Sequence, residues 1–160
     1  MAAKVTKASE YAERFNKVFD YIDRHLGDPL TVEQLSEIAH FSKFHFHRQF
    51  SAYAGISVFR YIQLMRLKRA SYQLVFNTQA RIIDIALEAC FESPESFSRA
   101  FKNTFGQTPS QFRAHPQWKP WKTRYQLPRH ERRQTMDVKI VDFDGTMVAA
   151  LEHSGPPELV

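Results

Sequence analysis

The chain has 160 residues, enough for one domain or two very small ones. It is 43% hydrophobic with 14 Phe, which supports a real core, and it has no run of eighteen apolar residues to span a membrane. Its single cysteine excludes an internal disulfide and fits a reducing cytoplasm, and the opening MAAKVTKASEY lacks the apolar stretch of a secretory signal.

The net charge is +5, unevenly spread: residues 1–35 balance at −1, residues 36–115 at +5, residues 116–135 at +5 and residues 136–160 at −4. A localised excess of Lys and Arg suggests a polyanion partner, although a solvated surface has the same composition. The positive charge sits on the middle of the chain and the segment after it.

In chain order, residues 1–8 are expected to fray, and Ser9 is expected to cap a first helix. Tyr11, Phe15, Val18, Phe19, Ile22 and Leu26 recur at three- and four-residue steps, one apolar helical face. Gly27 is the expected stop, with Asp28-Pro29 making the bend. Thr31 to Gln34 reads as a capping box, flanked by Leu30 and Leu35 at staple positions, and starts a helix to about Ala39. Ser42 opens another, to about Ala54. On it Phe46, Phe50 and Tyr53 are expected to face the core, and Phe44, His47 and Arg48 the other side. An exposed Phe beside His and Arg is unusual for a plain surface. Gly55 ends that helix and Ser57 caps the next, an unbroken run from Val58 to about Asn77. At about 1.5 Å per residue this makes a rod of about 30 Å, close to one turn of B-DNA, although a plain core helix would have the same length.

The next stretch repeats what came before. Val32, Leu35, Ser36, Ala39 and Phe41 recur as Ile82, Ile85, Ala86, Ala89 and Phe91. Ser42, Phe46, Arg48, Phe50, Gly55, Ser57 and Tyr61 recur one residue further on as Ser93, Phe97, Arg99, Phe101, Gly106, Thr108 and Phe112. Self-similarity of this kind marks a unit used twice, here short helix, tight turn, second helix. That is the signature of helix-turn-helix, whose second helix enters the DNA major groove. The second copy begins near Ala80 without a good N-cap. Ser93-Pro94 starts its second helix, with Phe97, Phe101 and Phe105 or Thr104 inward and Glu95, Arg99 and Lys102 outward. Thr108 to Gln111 caps a last short helix ending before Pro116. Candidate phosphate contacts are Ser42, Lys43, Arg60, Arg66, Ser93 and Lys102; Arg60, Arg66, Lys68 and Arg69 along the long helix are equally consistent with solvation.

Residues 116–135 read as a basic linker, with three Pro and with Trp118 and Trp121. Val138, Ile140, Val141 and Phe143, an Asp144-Gly145 turn, and Met147 to Leu151 read as a β-hairpin, too little to bury a core alone. The expected fold class is therefore all-α, about seven helices in two helix-turn-helix subdomains joined by a long helix, with a short C-terminal β-hairpin stub.

Metal chemistry fails on spacing. His45 and His47 lie about 200° apart on a helix, no His pair sits at i, i+4, and there is no second Cys. Cys90 is expected to be a buried turn residue, not a reactive one, and no glycine-rich phosphate loop is present. The chain reads as a non-enzyme without cofactor or metal.

These motifs, from Ser42…Phe46-His47-Arg48-Gln49-Phe50…Gly55 through Phe97-Ser98-Arg99-Ala100-Phe101-Lys102…Gly106-Gln107-Thr108-Pro109, resemble the AraC/XylS family of bacterial transcription regulators over about residues 8–115. The resemblance is closest to members that carry the DNA-binding domain first. It implies double-stranded DNA as partner, with one monomeric chain placing two recognition helices in adjacent major grooves. By position it makes Phe44, His47 and Arg48 the first base-reading face, and Glu95, Ser96 and Arg99 the second. Two residues depart from expectation. Cys90 stands where the family usually has Gly, at a turn position where φ > 0 strains any side-chain-bearing residue. Glu95 faces a polyanion, where it could accept from a cytosine amino group or simply favour the helix N-terminus. Residues 136–160 resemble the opening strands of a GyrI-like small-molecule-binding domain, so a small-molecule effector is implied only where that domain is complete. A helical protein-interaction module without DNA contact is the alternative, with Trp118 and Trp121 docking a partner such as RNA polymerase.

Overall fold

The computed structural model describes residues 7–118 and the strands 139–143 and 146–150. Seven helices make up the first of these regions: α1 (Lys7–Arg24), α2 (Val32–Ile38), α3 (Lys43–Ala54), α4 (Val58–Phe76), α5 (Ile82–Glu88), α6 (Pro94–Phe105) and α7 (Pro109–Ala114).

Helix α1 buries Phe15, Val18, Phe19 and Ile22 completely, as its spacing predicts. Its ends differ from expectation. The described helix already includes Lys7, so Ser9 lies inside it and is not the cap; Lys7 and Ala8 are good helix formers. It ends at Arg24, and Gly27 does not adopt the left-handed cap conformation. The bend is closed by the Asp28 N–H donating to the His25 carbonyl at 3.0 Å, and Asp28 is pushed towards extended backbone by Pro29.

From α2 onward the two copies of the repeat fold alike. Helices α2 and α5 each have 7 residues, and α3 and α6 each have 12. The turn between each pair is a Schellman ending. The Phe41 N–H reaches the Ser36 carbonyl at 2.9 Å, and the Phe91 N–H reaches the Ala86 carbonyl at 3.0 Å. The residue that must take positive φ is His40 (53°) in one copy and Cys90 (58°) in the other. Neither is Gly, and both turns keep the same bonds, so the cap and its apolar Phe outweigh a left-handed penalty of about 1–2 kcal/mol. Gly55 (71°) and Gly106 (79°) end α3 and α6 by the simpler left-handed cap, each N–H donating to the carbonyl four residues back, on Ser51 and Lys102. Ser42, Ser57, Ser93 and Thr108 each accept an N–H from the first turn of the helix that follows. Arg81 precedes α5 and makes no side-chain cap bond, as expected of that boundary.

The core divides along α4. Its first part, with Val58, Tyr61 and Ile62, closes over α1, α2 and α3; its second part, with Leu64, Leu67, Ala70 and Leu74, closes over α5, α6 and α7. The aromatic packing repeats as well: Phe50 meets Tyr61 edge-on at 5.7 Å, and Phe101 meets Phe112 edge-on at 5.3 Å. Tyr53 does not face the core, although its spacing predicts that it should. It remains 43% exposed, its ring stacked on Phe15 at 4.9 Å, while Ala54 is the buried residue at that end of α3. In the second copy the shorter Thr104 stands at the place of Tyr53, and both Thr104 and Phe105 are buried. Trp118 extends the second unit past Ala114, edge-on to Phe112 at 5.0 Å and 4.8 Å from Tyr72.

The hairpin forms a separate unit. Strand β1 (Lys139–Phe143) pairs antiparallel with β2 (Thr146–Ala150), Val141 opposite Val148. Trp121, most of the expected linker and the Asp144-Gly145 turn lie outside the described residues.

Candidate nucleic-acid interface

Each second helix of a unit packs one face inward and leaves the other bare. On α3, Phe46 and Phe50 are fully buried, which turns Phe44, His47 and Arg48 outward. Phe44 is 80% exposed, the most exposed large apolar side chain among the described residues, and nothing in the fold explains an aromatic ring there. On α6, burial of Phe97 and Phe101 turns Glu95 and Arg99 outward. Arg48 and Arg99 make no hydrogen bond or ion pair among the described residues, and no salt bridge joins Glu95 to Arg99. Both guanidinium groups are therefore available to a ligand.

Among the base-reading candidates, Ser96 has internal partners. The Ser96 hydroxyl donates to the Ser93 carbonyl at 2.8 Å and closes a capping box with Ser93, leaving it partly buried. Its counterpart in the first unit is the half-buried His45, not His47. The same shift of the repeat that pairs Arg48 with Arg99 pairs His47 with Ser98, and Ser98 is partly exposed on the second helix. Reading α6 by that shift would have found it.

Among the candidate phosphate contacts, Ser42 and Ser93 sit at the N-caps of α3 and α6, where helix dipoles favour anions. The Lys43 ammonium pairs with Glu33 at 2.6 Å; its hydrogen bond holds the Glu33 carboxyl below its ordinary range. Lys102 is exposed on α6. Arg60 bonds Gln63 one turn on. Arg66 is committed elsewhere: its Nε donates to the Leu26 carbonyl at 2.9 Å and its Nη2 to the Asp28 carbonyl at 2.7 Å. Arg113 does the same in the second unit, with Nη2 on the Ala80 carbonyl at 2.7 Å and Nε on Leu74 at 3.3 Å.

Cys90 differs from expectation. It is exposed, not buried, because a residue in the left-handed C-terminal position of a helix points its side chain away from the core. Its thiol lies 3.4 Å from the Gly27 carbonyl of the first unit. Two outward faces, on α3 and α6, stand at equivalent places of a duplicated unit whose copies α4 joins, and each offers an arginine to a polyanion.

Known proteins share this arrangement. A helix-turn-helix domain family matches residues 35–115. The chain is 42% identical over 103 residues to the uncharacterized HTH-type transcriptional regulator YbfP of Bacillus subtilis, covering 64% of this chain and 35% of that one. It is 30% identical over 139 residues to the right origin-binding protein of Escherichia coli K12, covering 82% of this chain and 48% of that one. It thus spans at most about half the length of these relatives. A transcriptional regulator with an AraC-type DNA-binding domain from Chromobacterium violaceum superposes with a TM-score of 0.60 at 26% identity, over 66% of this chain and 96% of that one. The DNA-binding domain of AdpA, solved with a target DNA, has the same fold, with a TM-score of 0.56 at 22% identity over 67% and 94% of the two chains. The duplicated helix-turn-helix, its shared helix and these matches together place the chain in the AraC/XylS family.

Proposed function

We propose that this chain is the sequence-specific DNA-binding part of a transcription regulator, acting as a monomer that inserts α3 and α6 into successive major grooves of one duplex. The observation that carries this reading is the pair of arginines, Arg48 and Arg99, without a partner among the described residues and at equivalent places on two exposed helix faces. Arg can bond guanine O6 and N7 together, the commonest specific contact in the major groove. Phe44 suits a thymine methyl group. On this reading the helix N-termini at Ser42 and Ser93 and the exposed Lys102 take phosphates, and Lys43 exchanges Glu33 for one. Because Phe44 corresponds to Glu95 and His47 to Ser98, the two heads carry different chemistry, so the site is asymmetric. This role is one of binding, without catalysis, metal or cofactor, and it belongs in the cytoplasm. Contact with RNA polymerase, or control by a small-molecule effector, would be properties of the whole regulator.

Selection of bound sites from random duplexes tests the proposal. The expected result is one asymmetric motif with two halves about 10–10.5 base pairs apart. Binding that is indifferent to sequence, or that barely responds to salt where counterion release demands a steep loss, favours a protein-interaction module instead.

A further inference from the structure

We propose that Arg66 is a positioning residue that sets the angle between the two reading heads, and so the spacing of half-sites the protein accepts; this rests on the DNA-binding reading above. Every substantial packing between elements either stays within one unit or involves α4. The two cores share only the partly buried Ile56 and Met65 at their border. Off the helix axis, the units face each other across a cleft of about 390 Å³ whose lining includes Leu30, Gln63, Arg66, Cys90 and Glu92. A rod with a cleft beside it fixes the distance between its ends better than their relative rotation.

The turn Leu26–Asp28 crosses this junction. It belongs to the first unit, where Leu26 is buried in the core. From the middle of α4, Arg66 grips its carbonyls at residues 26 and 28 with two charge-assisted bonds. The carbonyl between them, on Gly27, faces the Cys90 thiol of the second unit at 3.4 Å, and Leu26 O lies 3.8 Å from the same sulfur. Cys90 stands three residues ahead of Ser93, the cap of the second reading helix. The turn is thus a spacer between the first unit and the turn that leads into the second reading helix, and Arg66 holds it in place. The thiol is a weak donor and contributes contact more than bonding.

The test compares the wild-type chain with Arg66→Met on duplexes whose half-sites are moved apart or together by one base pair, a change of about 3.4 Å and one-tenth of a turn. Wild type should lose about tenfold in affinity for either shift. In Arg66→Met the loss should fall below about threefold, with base preference inside each half unchanged. Helical circular dichroism establishes that the variant is folded; if it is not, Arg66→Lys, which keeps the charge and one bond, is judged by the same flattening of the spacing profile. A uniform loss of affinity with an unchanged profile would make Arg66 a phosphate contact or a plain stabiliser and overturn the inference. So would a wild-type protein that binds its sequence without regard to spacing. Failure of the wild type to select any sequence would instead overturn the DNA-binding reading itself.

Discussion

Arg48 and Arg99 hold the same place in their units but have different neighbours. Arg48 shares its face with Phe44 and His47, whereas Glu95 lies one turn before Arg99 without pairing to it. If both read bases, Arg48→Ala relaxes sequence preference in one half-site and Arg99→Ala in the other, each costing about 1–3 kcal/mol. Binding of each variant to single-base changes of the selected site measures this. A uniform loss over all changes, with a salt slope lower by about one, would place that arginine on phosphate. These residues were legible in the sequence because the repeat pairs them and the buried Phe residues fix which side faces out. Arg66 was not. Its partners are 40 and 38 residues away, and neither periodicity nor motif reports a bond between a side chain and a distant carbonyl. Cys90 was misplaced because its apolar neighbours suggested burial, whereas the left-handed backbone turns its side chain out.

At the scale of elements, the caps were the most legible feature, since a capping box needs only residues three apart. Thr31 with Gln34 and Thr108 with Gln111 form as read. The start of α5 is the weak one. There Arg81 spans to Asp84 through two bonds of 2.8 Å, which hold the Asp84 carboxyl below its ordinary range, but the first-turn N–H groups gain no side-chain partner. Arg81→Ser would trade an exposed ion pair, worth little, for an N-cap worth about 0.5–2 kcal/mol. The variant should therefore melt higher than the wild type by circular dichroism at pH 7. Because the native Asp84 is depressed, its pairing contributes above the ordinary carboxylate value of 3.8 and fades as pH falls below it, so the advantage of Arg81→Ser should grow in acid. A lower melting temperature at pH 7 would mean that the Arg81–Asp84 bridge is the better cap. The end of α1 was less legible than these starts: Gly27 looked like a stop, but the Pro after Asp28 and the Arg66 grip shape that bend.

For the whole molecule, duplication makes two small cores, and one shared helix makes them a pair. This level was legible from the repeat, because the shift between copies survives in caps, glycines and core aromatics together. What the repeat could not convey is the set of the heads relative to each other, which depends on a turn outside both copies. One chain carries both reading heads on this reading, and the mass of the complex decides whether it does. Native mass measurement on the selected site, with protein in excess, should give one chain per duplex, on a sequence without a palindrome. Two chains on a palindromic duplex, with no stable complex of one, would contradict it.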